Sequence, residues 1–98
     1  MTSLKQSYLV AYDIAEDYRR NRVAKILQTC GERLQYSVFL LEVRPTKMLR
    51  VRQQLESEMD QRLDSIIVCP LGASSQASQE MLFLGRRTYE DIATPTVI

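Results

Sequence analysis

Three short runs in this chain are apolar at every position: residues 8–12 (Tyr-Leu-Val-Ala-Tyr), 38–41 (Val-Phe-Leu-Leu) and 66–69 (Ile-Ile-Val-Cys). Runs of that length, rich in β-branched and aromatic residues and bounded by polar ones, form strands. A strand with one wet face alternates apolar and polar residues. These do not, which favours a cover on both faces of the sheet they build. Two helical stretches can cover one face. In the first, Val23, Ile26, Leu27 and Cys30 fall at i, i+3, i+4 and i+7, with Asp17 as the expected N-cap and Gly31 as the stop. In the second, Met48, Val51, Leu55 and Met59 keep helical spacing after Pro45, and Thr46 is the expected N-cap. The other face is either covered by a second copy of the chain, most simply as a two-fold homodimer, or open, its apolar residues chosen only for strand propensity.

The elements follow in the order strand 8–13, helix, hairpin, helix, strand 65–69. The hairpin is expected as 33–35 and 38–43, broken at Tyr36-Ser37, and Pro70 is expected to end the last strand because it donates no backbone hydrogen bond. The order β-α-β-β-α-β is that of a ferredoxin-like α+β sandwich. Residues 72–79 read as a polar connection, and 81–84 (Met-Leu-Phe-Leu) as a possible fifth C-terminal strand. At 98 residues this makes one ferredoxin-like domain over 1–85, followed by a C-terminal tail over 86–98.

Composition removes several kinds of chemistry. The 13 Lys and Arg nearly balance the 12 Asp and Glu, for a formal net charge of +1, so phosphate binding must come from a local patch. There is no histidine, and Cys30 and Cys69 lack CxxC spacing. Histidine-dependent triads are excluded, and a zinc site is not expected. The cysteines are expected as separate buried thiols. No signal-like N-terminal segment and no run of the roughly 20 apolar residues that span a bilayer is seen. The expected compartment is the cytoplasm, without a membrane partner.

Two features carry possible chemistry. Asp13 stands at the carboxyl end of the first strand, where it either starts a turn or meets a ligand. One carboxylate can serve Mg²⁺, which keeps waters and substrate phosphates as its other ligands, and a dimer whose axis passes near Asp13 supplies two. Arg19, Arg20 and Arg22 crowd the start of the first helix, where the macrodipole disfavours cations. They either bind phosphate through guanidinium forks or decorate a solvated face.

Taken together, Tyr8-Leu-Val-Ala-Tyr-Asp-Ile14, Asp17-x-Arg-Arg-Asn-Arg-Val-Ala-Lys25, Arg33-Leu-Gln-Tyr-Ser-Val-Phe39 and Asp64-Ser-Ile-Ile-Val-Cys-Pro-Leu71 resemble the CRISPR-associated protein 2 family, over about two thirds of the chain. The resemblance implies a symmetric dimer and assigns Asp13 as the catalytic and metal position, with Mg²⁺ or Mn²⁺ shared across the dimer. It places nucleic-acid-binding positions at Arg20, Arg22 and Arg33, and supporting aromatic positions at Tyr12 and Phe39. The acidic residue that the family often carries after the Val-Phe pair is here Leu40. Two functions are implied. The favoured one is a dimeric DNA-binding scaffold for spacer integration, acting with the integrase subunit, CRISPR-associated protein 1. The alternative is a metal-dependent endonuclease acting on RNA or DNA through Asp13 of both protomers. A small-molecule regulator or toxin-like relative fits the fold but not the arginine pattern.

Overall fold

The computed structural model describes residues 4–85. Its elements are β1 (Gln6–Asp13), α1 (Asp17–Gln28), β2 (Gly31–Gln35), β3 (Val38–Val43), α2 (Pro45–Glu58), β4 (Ser65–Ala73) and α3 (Ser74–Glu80). The sheet runs β2-β3-β1-β4, antiparallel throughout, as the ferredoxin-like order requires. β1 lies inside, flanked by β3 and β4.

One face of the sheet packs on α1 and α2. Val10, Tyr12, Phe39, Leu41 and Val43 meet Val23, Leu27, Met48, Val51 and Leu55 there in a single buried cluster. Ile26 and Cys30 complete the expected stripe of α1 from its half-buried edge. The opposite face holds a smaller cluster. Leu34 and Leu40 are buried there, beneath Leu9, Val38, Met81 and Phe83. Segment 81–84 therefore reaches the second face, but not as a fifth strand. Met81 and Phe83 turn inward while Leu82 and Leu84 stay exposed, so its two-residue period serves packing. This cover is partial. On β4, Ile67 is 62% and Leu71 39% exposed, leaving an apolar area on the sheet face that no described residue hides.

Five local expectations change. Helix α1 is capped by Glu16 rather than Asp17, and Arg44 rather than Thr46 sits at the N-cap of α2, with Pro45 in its first turn. Residues 74–80 form α3, fastened by a Ser7 hydroxyl bonded to that of Ser74 (3.3 Å) and by Ala77 in the core. β4 passes through Pro70, because an edge strand tolerates a missing donor where the register shifts, here opposite Ser7 and Tyr8. Both cysteines are free thiols; Cys30 is half-buried, whereas Cys69 is exposed. No described helix is long and apolar enough to cross a membrane. The tail 86–98 lies outside the described residues.

Gly31 marks the tightest approach in the sheet. A Cβ there would sit 2.6 Å from the Leu40 carbonyl oxygen and 2.8 Å from a Leu41 methyl. Gly31→Ala is expected to destabilise the fold by roughly 1–3 kcal/mol through overpacking. A urea midpoint that does not move would show that β2 relaxes freely.

Candidate functional site

Asp13 closes β1 opposite Ser65 and is exposed. Its neighbour Tyr12 turns into the helix-covered core at 6% exposure, so strand alternation directs Asp13 to the less covered face. The Asp13 side chain makes no hydrogen bond or ion pair among the described residues, and those residues hold no group of three or more His, Cys, Asp or Glu that could bind a metal ion. Each chain thus offers a hard cation one open carboxylate.

The turn after Asp13 is held by Asp64, whose side chain is fully buried. One carboxylate oxygen accepts the Ala15 N–H (3.0 Å) and an Arg19 terminal N–H (3.2 Å). The other accepts Arg19 Nε–H (2.8 Å) and the Asp60 N–H (2.8 Å). The Arg19 hydrogen bonds, aided by the two backbone donors, outweigh desolvation and hold Asp64 far below the usual carboxylate range. Glu16 completes the turn, accepting from the N–H groups of Tyr18 (2.7 Å) and Arg19 (3.0 Å).

The three expected basic positions occupy different environments. Arg20 pairs with Asp17 and donates to the Ile14 carbonyl (2.8 Å). Arg22 donates to Glu58 (2.8 Å) and lies 6.0 Å from the Tyr18 ring. Hydrogen bonds to these acids raise both guanidinium pKa values. Arg33, opposite Phe39 on β2, has no acidic partner among the described residues; it sits 5.1 Å from the Phe39 ring and 5.8 Å from the Tyr36 ring. Its Nε is buried without a hydrogen-bond partner. Tyr12 and Phe39 are core residues, stacked at 6.3 Å.

Structure thus brings Asp13, Arg20, Tyr12, Arg33 and Phe39 to the end of the sheet formed by the β1–α1 and β2–β3 turns. Arg22 lies two residues beyond Arg20, around the other side of α1 and beside the end of α2. The sequence reading missed Arg19 and Asp64 as a unit. Arg19 is not a spare cation, because its charge is committed to the core. The buried anion lies 45 positions away in sequence, and only the antiparallel pairing of β1 with β4 brings the two together.

Fold and site define a ferredoxin-like protein with an open carboxylate at a strand end and an arginine-bearing helix beside it. The chain belongs to the CRISPR-associated protein Cas2 family, whose model matches residues 6–79. It is 39% identical over 77 residues to the CRISPR-associated endoribonuclease Cas2 of Chlorobaculum tepidum, covering 74% of this chain and 80% of that one. Identity to a CRISPR-associated endoribonuclease Cas2 of Rhodospirillum rubrum is 33% over 91 residues, covering 93% of this chain and 72% of the other. Among solved structures, Streptococcus pyogenes Cas2 at pH 6.5 superposes with a TM-score of 0.70 at 31% identity, covering 81% of this chain and 99% of that one.

The Asp64 clamp has a pH signature. Its folded pKa lies below the ordinary value of 3.8, so its stabilisation is complete above that value and is lost as pH falls below it. Asp64→Asn is expected to unfold at lower urea than wild type at pH 7, with the gap closing as the pH drops below about 4. A gap of constant size across that range would show that the charge of Asp64 contributes nothing.

Proposed function

We propose that this chain is a metal-dependent endoribonuclease whose centre forms where Asp13 of two protomers meet. The observation that carries this reading is the Asp13 carboxylate. It is exposed, without a partner among the described residues, and set on the sheet face where Ile67 and Leu71 remain open to a second copy. The names of the relatives, all endoribonucleases, support it over the scaffold expected from the sequence.

The residues present fit a hard divalent ion, Mg²⁺ or Mn²⁺, which needs only one or two carboxylates when waters and phosphates complete its shell. Such an ion supplies an activated water and positive charge at the attacked phosphate. The protein's own part is to place the strand. Arg20 and Arg22 face phosphates from α1, and Arg33 adds positive charge from β2. The ion pairs of Arg20 with Asp17 and of Arg22 with Glu58 lie at the surface, where solvent screens them and a phosphate oxygen can take the acid's place. With no histidine in the chain, no imidazole competes for the role of base.

The scaffold reading, in which the dimer holds DNA for an integrase subunit, is supported by family membership and by the single carboxylate per chain. Asp13→Asn separates the two. Metal-dependent cleavage of single-stranded RNA is expected to fall to background, while light scattering still reports twice the 11.3 kDa chain mass. Cleavage that survives in Asp13→Asn, from a preparation free of contaminating nuclease, refutes the site. A monomer in wild type refutes the shared centre.

Arg20→Ala with Arg22→Ala is expected to weaken RNA and DNA binding across sequences. The slope of log affinity against log salt should flatten by roughly 0.7 for each single-strand phosphate that is no longer neutralised. An unchanged slope would mean that these arginines serve only Asp17 and Glu58.

A further inference from the structure

We propose that Tyr36, at the tip of the β2–β3 hairpin, is a stacking platform for an unpaired nucleobase of a single-stranded nucleic acid. This rests on the nucleic-acid-binding reading above but not on cleavage. Tyr36 is 73% exposed, which alone is ordinary for a surface aromatic. What sets it apart is how it is braced. Its carbonyl accepts the buried Tyr12 hydroxyl (3.3 Å), and the Tyr12 N–H bonds the adjoining Ser37 carbonyl (3.1 Å). The turn is thereby anchored to the central strand, one residue before Asp13.

Behind the Tyr36 ring lies the Arg33 guanidinium at 5.8 Å, then the Phe39 ring 5.1 Å from the same guanidinium, then Tyr12, stacked on Phe39 at 6.3 Å with 25° between planes. A ring, a cation and two further rings form one series that runs from the core to the solvent. The exposed ring is its last member and leaves room for one more flat group. A nucleobase is such a group, and stacking on an aromatic ring is available to every base because each has a π-face. Arg33, held between rings with no acidic partner among the described residues, places a positive charge where the flanking phosphate of a stacked nucleotide needs one. Bases inside a duplex are already stacked on their neighbours, so the platform selects unpaired ones.

Wild type, Tyr36→Phe and Tyr36→Ala are compared on three probes: single-stranded RNA, single-stranded DNA of the same sequence, and duplex RNA. Each single strand carries 2-aminopurine as a reporter of stacking. Tyr36→Ala is expected to weaken single-strand binding by about tenfold or more and to abolish 2-aminopurine quenching. Duplex affinity and its salt slope should stay unchanged, because the arginines that meet a duplex backbone are still in place. Tyr36→Phe, which keeps the ring, should behave as wild type, and the single strand that suffers the larger drop in affinity identifies the ligand. Unchanged single-strand affinity in a folded Tyr36→Ala protein overturns the proposal, as does an equal drop on duplex. Wild type that binds and stacks but never cleaves sinks the nuclease reading and leaves this one standing. Wild type that binds none of the probes sinks both.

Discussion

The contact on which this molecule's working end depends is the one between Asp64 and Arg19. A carboxylate with a fully buried side chain is costly unless its charge and lone pairs are met. Here they are met by one guanidinium and two backbone N–H groups, drawn from α1, the β1–α1 turn and the segment before β4. Four donor atoms converge on one anion, and together they fix three different pieces of chain. The turn that leaves Asp13 is therefore placed by a charge deep in the protein, while Asp13 itself stays exposed. The carboxylate that organises the site is thus not the one proposed for its chemistry.

The sheet divides its labour by face. Toward the helices it is closed over β1 and β3, with Phe39, Leu41, Val10, Val23 and Leu27 excluded from solvent, and open at the β4 edge, where Val68 is exposed. Toward the other side it is covered by segment 81–84 over β2 and β3, and left open over β4. Asp13 belongs to the side that is only partly covered. Arg20 and Arg22 belong to the helix layer and Arg33 to the helix side of β2, so a nucleic acid that touches both faces has to run around the end of the sheet, past the two turns.

Much of this was legible in the chain because local patterns and tertiary demands agree. The stripes of α1 and α2 name the residues that reach the core, and the unalternating runs 8–12 and 38–41 are buried or half-buried on both faces. Most of the misses share a physical cause, a deciding partner distant in sequence, whereas the cap of α1 is a local ambiguity. Nothing local separates Glu16 from Asp17 as a cap, since both are acids at adjacent positions. Serines 74 and 75 are poor helix formers, and α3 is fastened by Ser7, 67 positions away. Arg19 and Arg20 are indistinguishable in sequence, yet one neutralises a buried anion and the other reaches only an exposed acid and a turn carbonyl. Arg33 and Phe39 were both singled out, but their stacking depends on the β2–β3 register, shifted by the bulge after Arg33.

The route of β4 through Pro70 also bears on how far assembly can go. β4 is an outer strand, nine residues long, with exposed apolar side chains, and such an edge invites endless addition of further chains. Beyond Cys69 the invitation weakens. Pro70 has no N–H to give, and Gly72, at φ +93°, bends the strand at the bulge, although β1 still pairs with residues 72 and 73 on the inner side. An added strand meets a residue without an N–H after five residues, at Pro70, which makes this edge a poor template for a fibril. A surface made to be sticky thus carries a local gap in its backbone donors, and the proline that β4 passes through makes the edge less apt to polymerise.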